Sequence, residues 1–129
     1  VAVIMKIIDR LEKDLAPIIY GDGSQSFDFV FVEDACRSLI LAMISSRTCN
    51  TYNISSGKQI SILDLCKRIQ KIMNKNLPIE FINKDEDKHL VTNRIGSTEK
   101  AKDELGFEVE VSLENGLKQV IDWKLSQVA

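Results

Sequence analysis

Two glycines close together after an apolar run are a natural place to look for phosphate chemistry, and Ile18-Ile19-Tyr20-Gly21-Asp22-Gly23-Ser24-Gln25 has that form. A dinucleotide cradle needs GxGxxG opening directly into a helix, so that backbone N–H groups meet the pyrophosphate. Here the third glycine is missing and the next run, Phe27-Asp28-Phe29-Val30-Phe31-Val32, is β-prone, so a turn is expected instead. His89 is the chain's one histidine and stands among Asp85, Glu86, Asp87 and Lys88. A catalytic histidine wants an orienting partner and a nucleophile, and the serines here sit in capping or turn contexts. The acidic trio lacks the glycine and distal Glu of a calcium loop, so a solvated loop is expected there. No catalytic residue and no metal ligand are assigned.

Asn53 and Arg94 carry binding chemistry. An amide at the C-terminal end of an apolar strand sits where α/β sheets hold ligands and can donate to a phosphate or base. The same position also suits a turn-forming Asn. Arg94, in Val91-Thr92-Asn93-Arg94-Ile95-Gly96, is a lone cation shortly before an expected helix. Together with that helix's N–H groups it is suited to a diphosphate, although spacing alone favours a surface arginine.

These residues need elements to position them. Val3, Ile4, Ile7, Ile8, Leu11 and Leu15 recur at helical spacing, predicting an amphipathic helix over about residues 2–14 that Pro17 cannot continue. Ile18–Tyr20 and Phe27–Val32 read as strands, and Glu33-Asp34 place negative charge at the start of a helix running to about Met43. Thr51-Tyr52-Asn53-Ile54 predicts a further strand. Ser61-Ile62-Leu63-Asp64 fits a capping box with Asp in the third helical position, and the helix behind it buries Ile62, Leu65, Cys66, Ile69 and Met73. Pro78–Ile82 alternates as a half-exposed strand does. Ser97 opens a short helix closed by Leu105-Gly106, and Ser112 caps the last, with Leu113, Leu117, Val120 and Ile121 as its stripe. The order αββαβαβαα is mixed α/β.

Composition sets the limits. A chain of 129 residues, 44% hydrophobic and 28% charged, suits one globular domain, and no repeat or Gly/Pro/Ser-rich linker divides residues 1–129. With 17 basic against 19 acidic residues the net charge is −2, which gives no basic footprint for nucleic acid. No apolar run approaches the roughly 18 residues of a membrane span. The start, Val1-Ala2-Val3-Ile4-Met5, has neither a signal-peptide pattern nor an initiator Met, so the chain is expected to begin inside a longer protein. Cys36, Cys49 and Cys66 are odd in number and lack CxxC pairing, so free thiols in a reducing cytoplasm are expected. Cys36 and Cys66 are expected to behave as small hydrophobes within amphipathic helices.

In order, Ile18–Gln25, Asp28–Asp34, Tyr52-Asn53-Ile54-Ser55-Ser56-Gly57, Glu99–Phe107, Leu113–Leu117 and Ile121-Asp122-Trp123 closely resemble the C-terminal part of the NAD-dependent epimerase/dehydratase family, the extended short-chain dehydrogenases acting on nucleotide sugars. The resemblance runs from about Val1 to Trp123. It implies a small C-terminal lobe with helices packed on short strands and no complete Rossmann sheet, a nucleotide-sugar (substrate) binding domain over residues 1–129 of a longer enzyme. The implied partners are a UDP-, dTDP- or GDP-sugar and a missing N-terminal Rossmann half that holds NAD. The full enzyme would oxidise a sugar carbon by hydride transfer to NAD and then return or redirect the hydride, as an isomerase or a dehydratase.

The family's glycine loop and Tyr-x-x-x-Lys pair have no counterpart in this chain, because Ser24 and Ser56 stand four residues after Tyr20 and Tyr52. The chain alone is therefore expected to be inactive and to bind no NAD. The resemblance carries base packing onto Ile18 and Tyr20, a nucleotide contact onto Asn53, and a base-contacting backbone onto Met5, which replaces a common Pro. It carries a phosphate contact onto Arg94. Where the family usually reads Gln-x-Arg-Asp-Phe with a phosphate-gripping Arg, this chain has Phe27. Either Arg94, Lys88 or His89 supplies the charge, or binding is weaker or differently oriented. The alternative is a non-catalytic protein-interaction module that kept the fold and lost its ligand.

Overall fold

A computed structural model describes residues 3–83 and 93–127. Helix α1 (Val3–Glu12) turns Ile7, Ile8 and Leu11 inward. It ends earlier than the apolar spacing predicts, because Asp14 takes a left-handed conformation (φ 54°) and Leu15 N–H bonds back to Arg10 O at 2.9 Å. Leu15 thereby leaves the stripe and is exposed. Strand β1 (Ile18–Tyr20) follows, then β2 (Ser26–Phe27), shorter than expected because residues 28–31 join no ladder. Helix α2 spans Val32–Ile44. Strand β3 (Ile60–Ser61) leads directly into α3 (Ile62–Ile72). Then come β4 (Glu80–Ile82), β5 (Asn93–Arg94), α4 (Glu99–Leu105) and α5 (Leu113–Ser126).

The capping expectations hold at two helices. Ser61 Oγ accepts from Asp64 N–H at 3.0 Å and donates to Asp64 Oδ2 at 2.9 Å. Ser112 Oγ accepts from Asn115 N–H at 3.2 Å. At α4 the N-cap is Thr98 rather than Ser97 and makes no side-chain cap bond, while Gly106 closes the helix at φ 68°.

The strands form two small sheets rather than one. β1 pairs in parallel with β4, and β2 lies between antiparallel β3 and parallel β5. The expected strand at Thr51–Ile54 is not one: its alternation is intact, but no strand among the described residues pairs with it. A ladder needs a neighbour, and the third and fifth strands arise instead at Ile60–Ser61 and Asn93–Arg94, both recruited by β2. This is a mixed α/β lobe with only a partial sheet.

The core lies between α1, α3 and α5. Ile7, Ile8 and Leu11 meet Leu65, Cys66 and Ile69, with Ile19 beneath and Leu117 and Ile121 closing the side. Burial of such side chains contributes about 1.5–3 kcal/mol each before entropy is counted. Met73, expected inside, is only half-buried at the C-cap of α3. Cys66 is fully buried as expected, whereas Cys36 is exposed on α2.

Candidate functional site

The Gly21–Gly23 turn has a packing explanation. Gly21 and Gly23 hold φ of 77° and 78°, and a Cβ on Gly23 would meet Leu63 Cβ at 3.1 Å and Ile19 Cγ2 at 3.3 Å. Leu63 N–H donates to Gly23 O at 3.1 Å, so the turn is pressed against the start of α3. A glycine consumed in this way leaves no cradle for a pyrophosphate, and among the described residues no glycine loop opens into a helix. The Gly21–Gly23 turn therefore does not have the form of a dinucleotide cradle.

Strand β1 carries two of the candidate residues. Ile19 is buried, so Ile18 and Tyr20 project from the opposite face, Ile18 half-buried and Tyr20 49% exposed. Parallel pairing sets Tyr20 beside Ile82 and Ile18 beside Glu80. Tyr20 and Ile82 thus stand side by side as an exposed apolar pair on one face of this sheet. Ile82 was not singled out in the sequence, although its alternation with Phe81 marks the face it shares with Glu80.

The segments that carry Arg94 and Asn53 are tied to each other by short contacts. Phe27 and Arg94 are register partners on β2 and β5, and Asp28 N–H donates to Arg94 O at 3.1 Å. Asp28 Oδ1 accepts from Ser56 N–H at 2.8 Å and Ser56 Oγ at 2.6 Å, and its Oδ2 accepts from Gly57 N–H at 2.8 Å. Ser55 Oγ donates to Gly96 O at 2.8 Å, two residues beyond Arg94 and two beyond Asn53. The approach demands glycine, since a Cβ on Gly96 would meet Ser55 Oγ at 2.6 Å. Ser26 Oγ and Asn93 Oδ1, 2.5 Å apart, add a cross-strand bond. Arg94 and Asn53 are both exposed at the rim of this knot.

Arg94 lies in a strand, five residues ahead of α4, and not at the N-terminus of that helix. Met5 packs against the core in α1. Phe27 also packs on the core, edge-to-face with Phe29 at 6.3 Å between ring centroids. His89, Lys88 and the Asp85–Asp87 cluster lie outside the described residues. No group of three metal-ligating side chains gathers among the described residues, and none of their helices is long and apolar enough to cross a membrane.

Two acidic residues that sequence reasoning gave lesser roles prove structural. Asp34, only 1% exposed, accepts from Arg37 Nη2 (2.7 Å), Glu110 N–H (3.0 Å) and Val111 N–H (3.0 Å). Burial pushes its pKa up, but these hydrogen bonds and the Arg37 charge outweigh burial and hold it below the usual carboxylate range. Arg37 is stacked 5.3 Å from the Phe107 ring centroid and also donates to Glu108 O. Asp34 therefore pins the start of α2 to the segment before α5. The signal that singles out Asp28, an acid preceding a Ser-Ser-Gly turn elsewhere in the chain, is visible only once the two segments meet.

A polar cavity of about 680 Å³ is lined in part by Ser55, Ser56, Lys58, Arg68 and Lys102. None of Met5, Ile18, Tyr20, Asn53 or Arg94 lines it. It shares the Ser55–Ser56 turn with the knot, but its Lys102 is engaged by Glu108 at 2.5 Å. The cavity and the candidate residues are thus separate features of the surface.

Comparison with known proteins gives this geometry a context. The sequence profile of the GDP-mannose 4,6 dehydratase family matches residues 1–120. A putative UDP-glucose 4-epimerase of Methanocaldococcus jannaschii is 31% identical over 121 residues, covering 94% of this chain and 38% of its own. A UDP-glucose 4-epimerase of Thermotoga maritima, solved with UDP-glucose, superposes with a TM-score of 0.91 at 27% identity, over 99% of this chain and 40% of its own. A UDP-glucuronic acid 4-epimerase of Bacillus cereus, solved with NAD, gives 0.86 at 25% identity over 99% and 40%. The chain spans about a fifth to two fifths of the length of the relatives it matches.

Proposed function

The chain belongs to the NAD-dependent epimerase/dehydratase family, the extended short-chain dehydrogenases, and from that premise we propose that residues 1–129 hold the nucleoside-diphosphate end of a nucleotide sugar within a longer enzyme. The observation that carries the proposal is the knot around Asp28, which sets Arg94 beside Phe27 and ties the Asn53 segment to both. Tyr20 and Ile82 receive the base, Ile18 borders it, Arg94 meets the diphosphate and Asn53 satisfies a polar group of the nucleotide. Met5 acts through the backbone of α1. A UDP-, dTDP- or GDP-sugar is the class of ligand, and NAD and the reacting tyrosine belong to a Rossmann half outside this chain. The free thiols accord with a cytoplasmic location. The test is an NMR titration of UDP, dTDP and GDP against wild type, Tyr20→Ala and Arg94→Ala. Base–aromatic contact is worth about 1–3 kcal/mol, so Tyr20→Ala should weaken binding at least severalfold. A wild-type spectrum unchanged by all three nucleotides at millimolar concentration would sink the proposal.

One observation favours the alternative of a non-catalytic interaction module. Phe27, in the place of the family's arginine, is packed against Phe29 and the core rather than offered to a ligand.

A further inference from the structure

Two carboxylates hold the walls of the polar cavity of about 680 Å³ in place. On one side Asp28 accepts from the N–H and Oγ of Ser56 and from the Gly57 N–H, which fixes the turn leading to Lys58 and Gln59. On the other, Asp34 accepts from the N–H groups of Glu110 and Val111, and Arg37 donates to Glu108 O. The space between is therefore pre-formed, as small-molecule sites are, and its volume lies within their usual range of about 300–1,000 Å³.

The charges of its lining are unevenly engaged. Glu108, Glu110 and Glu114 line it together with Lys58, Arg68 and Lys102. Each carboxylate already has a cation: Lys102 meets Glu108 at 2.5 Å, Arg37 meets Glu110 at 3.1 Å and Lys118 meets Glu114 at 3.3 Å. Among the described residues the side chains of Lys58 and Arg68 make no ion pair and no hydrogen bond. Asp64 stands one turn before Arg68 at the spacing of a helical ion pair, but it is engaged by Ser61, whose Oγ donates to it at 2.9 Å. Two positive charges are thus left over, both exposed to an incoming ligand. The carboxylates come from residues 108–114, and each still has oxygen lone pairs open.

We propose that this cavity binds a phosphorylated polyol of the size of a sugar monophosphate, with the phosphate on Lys58 and Arg68 and the hydroxyl groups donating to the carboxylates of residues 108–114. A phosphate ester carries close to two negative charges at neutral pH, which matches the two unengaged cations in number. The planar fork of Arg68 suits phosphate oxygens taken in pairs, and Lys58 adds a point charge. The uncharged polar body follows from the facing wall. A second anion would meet three carboxylates there, and an apolar body would strip their water without returning hydrogen bonds. None of Met5, Ile18, Tyr20, Asn53 or Arg94 lines the cavity, so this site is separate from the nucleotide surface proposed above and does not depend on it.

The experiment titrates the chain with glucose 1-phosphate, inorganic phosphate and glucose at neutral pH and low salt, and follows the backbone amides by NMR. Glucose 1-phosphate is expected to shift the amides of Lys58, Gln59 and residues 108–113, saturating at millimolar concentration. Inorganic phosphate should bind at Lys58 and Gln59 severalfold more weakly, and glucose more weakly still. Lys58→Gln and Arg68→Gln should each weaken glucose 1-phosphate at least about fivefold, and Arg68→Lys, which keeps the charge and loses the fork, should recover part of that. Lys67→Gln, an exposed neighbour on α3 outside the cavity, should leave binding unchanged. All these positions are exposed, so the variants should melt within about 2 °C of wild type. The proposal is overturned by amides that do not move at millimolar glucose 1-phosphate, or by an equal loss in Lys67→Gln, which marks unspecific charge attraction. Inorganic phosphate that binds as tightly as glucose 1-phosphate removes the polyol and overturns it too. So does displacement by UDP with shifts at Tyr20 and Arg94, which moves the anion to the nucleotide surface. Titration with UDP alone reads the earlier proposal, so the two can fail separately.

Discussion

Phe27 and Arg94 stand side by side in register on the parallel strands β2 and β5. Side chains at matched positions of neighbouring strands leave the same face, with backbones about 4.8 Å apart. A cation absent from position 27 is thus present at its register partner one strand over, where Arg94 is exposed and Phe27 half-buried. Phe27 turns onto the core, which leaves the exposed rim to Arg94.

This arrangement makes charge at the rim adjustable. Restoring the guanidinium with Phe27→Arg should tighten UDP or dTDP binding by about tenfold, since a hydrogen bond to a charged group contributes roughly 1.5–3 kcal/mol and some core packing is lost. Arg94→Ala should weaken binding by a similar factor, more at low salt than at high. Calorimetric titration at two ionic strengths measures both; an Arg94→Ala variant that binds as wild type does removes Arg94 from the site.

Chemistry is expected to be absent from the isolated chain. No described glycine turn fits a dinucleotide, and neither tyrosine has a lysine four residues on to lower its proton affinity. Tyr52 is shifted the wrong way for a base: burial and its bond to Glu104 push its pKa up. Incubation with NAD and UDP- or dTDP-hexoses should show no conversion by chromatography. Turnover that heat inactivation abolishes would contradict this.

Asp34 should dominate the acid response of the fold. Its folded pKa lies below the ordinary carboxylate range, so its contribution is complete above that range and is lost as pH falls through the depressed folded value. Asp34→Ala strands the Arg37 charge and two backbone N–H groups, at a cost of about 3 kcal/mol, toward the lower end for broken buried pairs because water still reaches Arg37. Urea unfolding between pH 7 and pH 3 tests this. A variant as stable as wild type at pH 7, or one that loses stability in parallel with it as pH falls, would count against the assignment.

The thiols should separate by reactivity. Cys36 and Cys49 are exposed, whereas burial pushes Cys66 up to about 11, which leaves it almost wholly a thiol at neutral pH. Native titration with a thiol reagent should give two fast equivalents and a third only on denaturation. A single equivalent under denaturing, non-reducing conditions would reveal a disulfide.

The sequence by itself determined the helices, the turn and the family. Apolar spacing located α1, α3 and α5, because a stripe that must face a core repeats every three to four residues whatever it packs on. Ser61, Ser112 and Gly106 announced helix ends because capping is local chemistry between residues a few positions apart. What only the tertiary structure decided depends on partners far away in the chain. Thr51–Ile54 has the pattern of a strand and lacks a ladder, since pairing belongs to two segments and not to one. Helix α2 is announced by its acidic start, but it presents its polar side inward because Asp34 finds the N–H groups of Glu110 and Val111, more than seventy residues on. Arg94 and Asn53 are weak signals apart. Their segments are tied together only when Asp28 captures the Ser56–Gly57 turn and Ser55 closes on Gly96, contacts that no local spacing encodes.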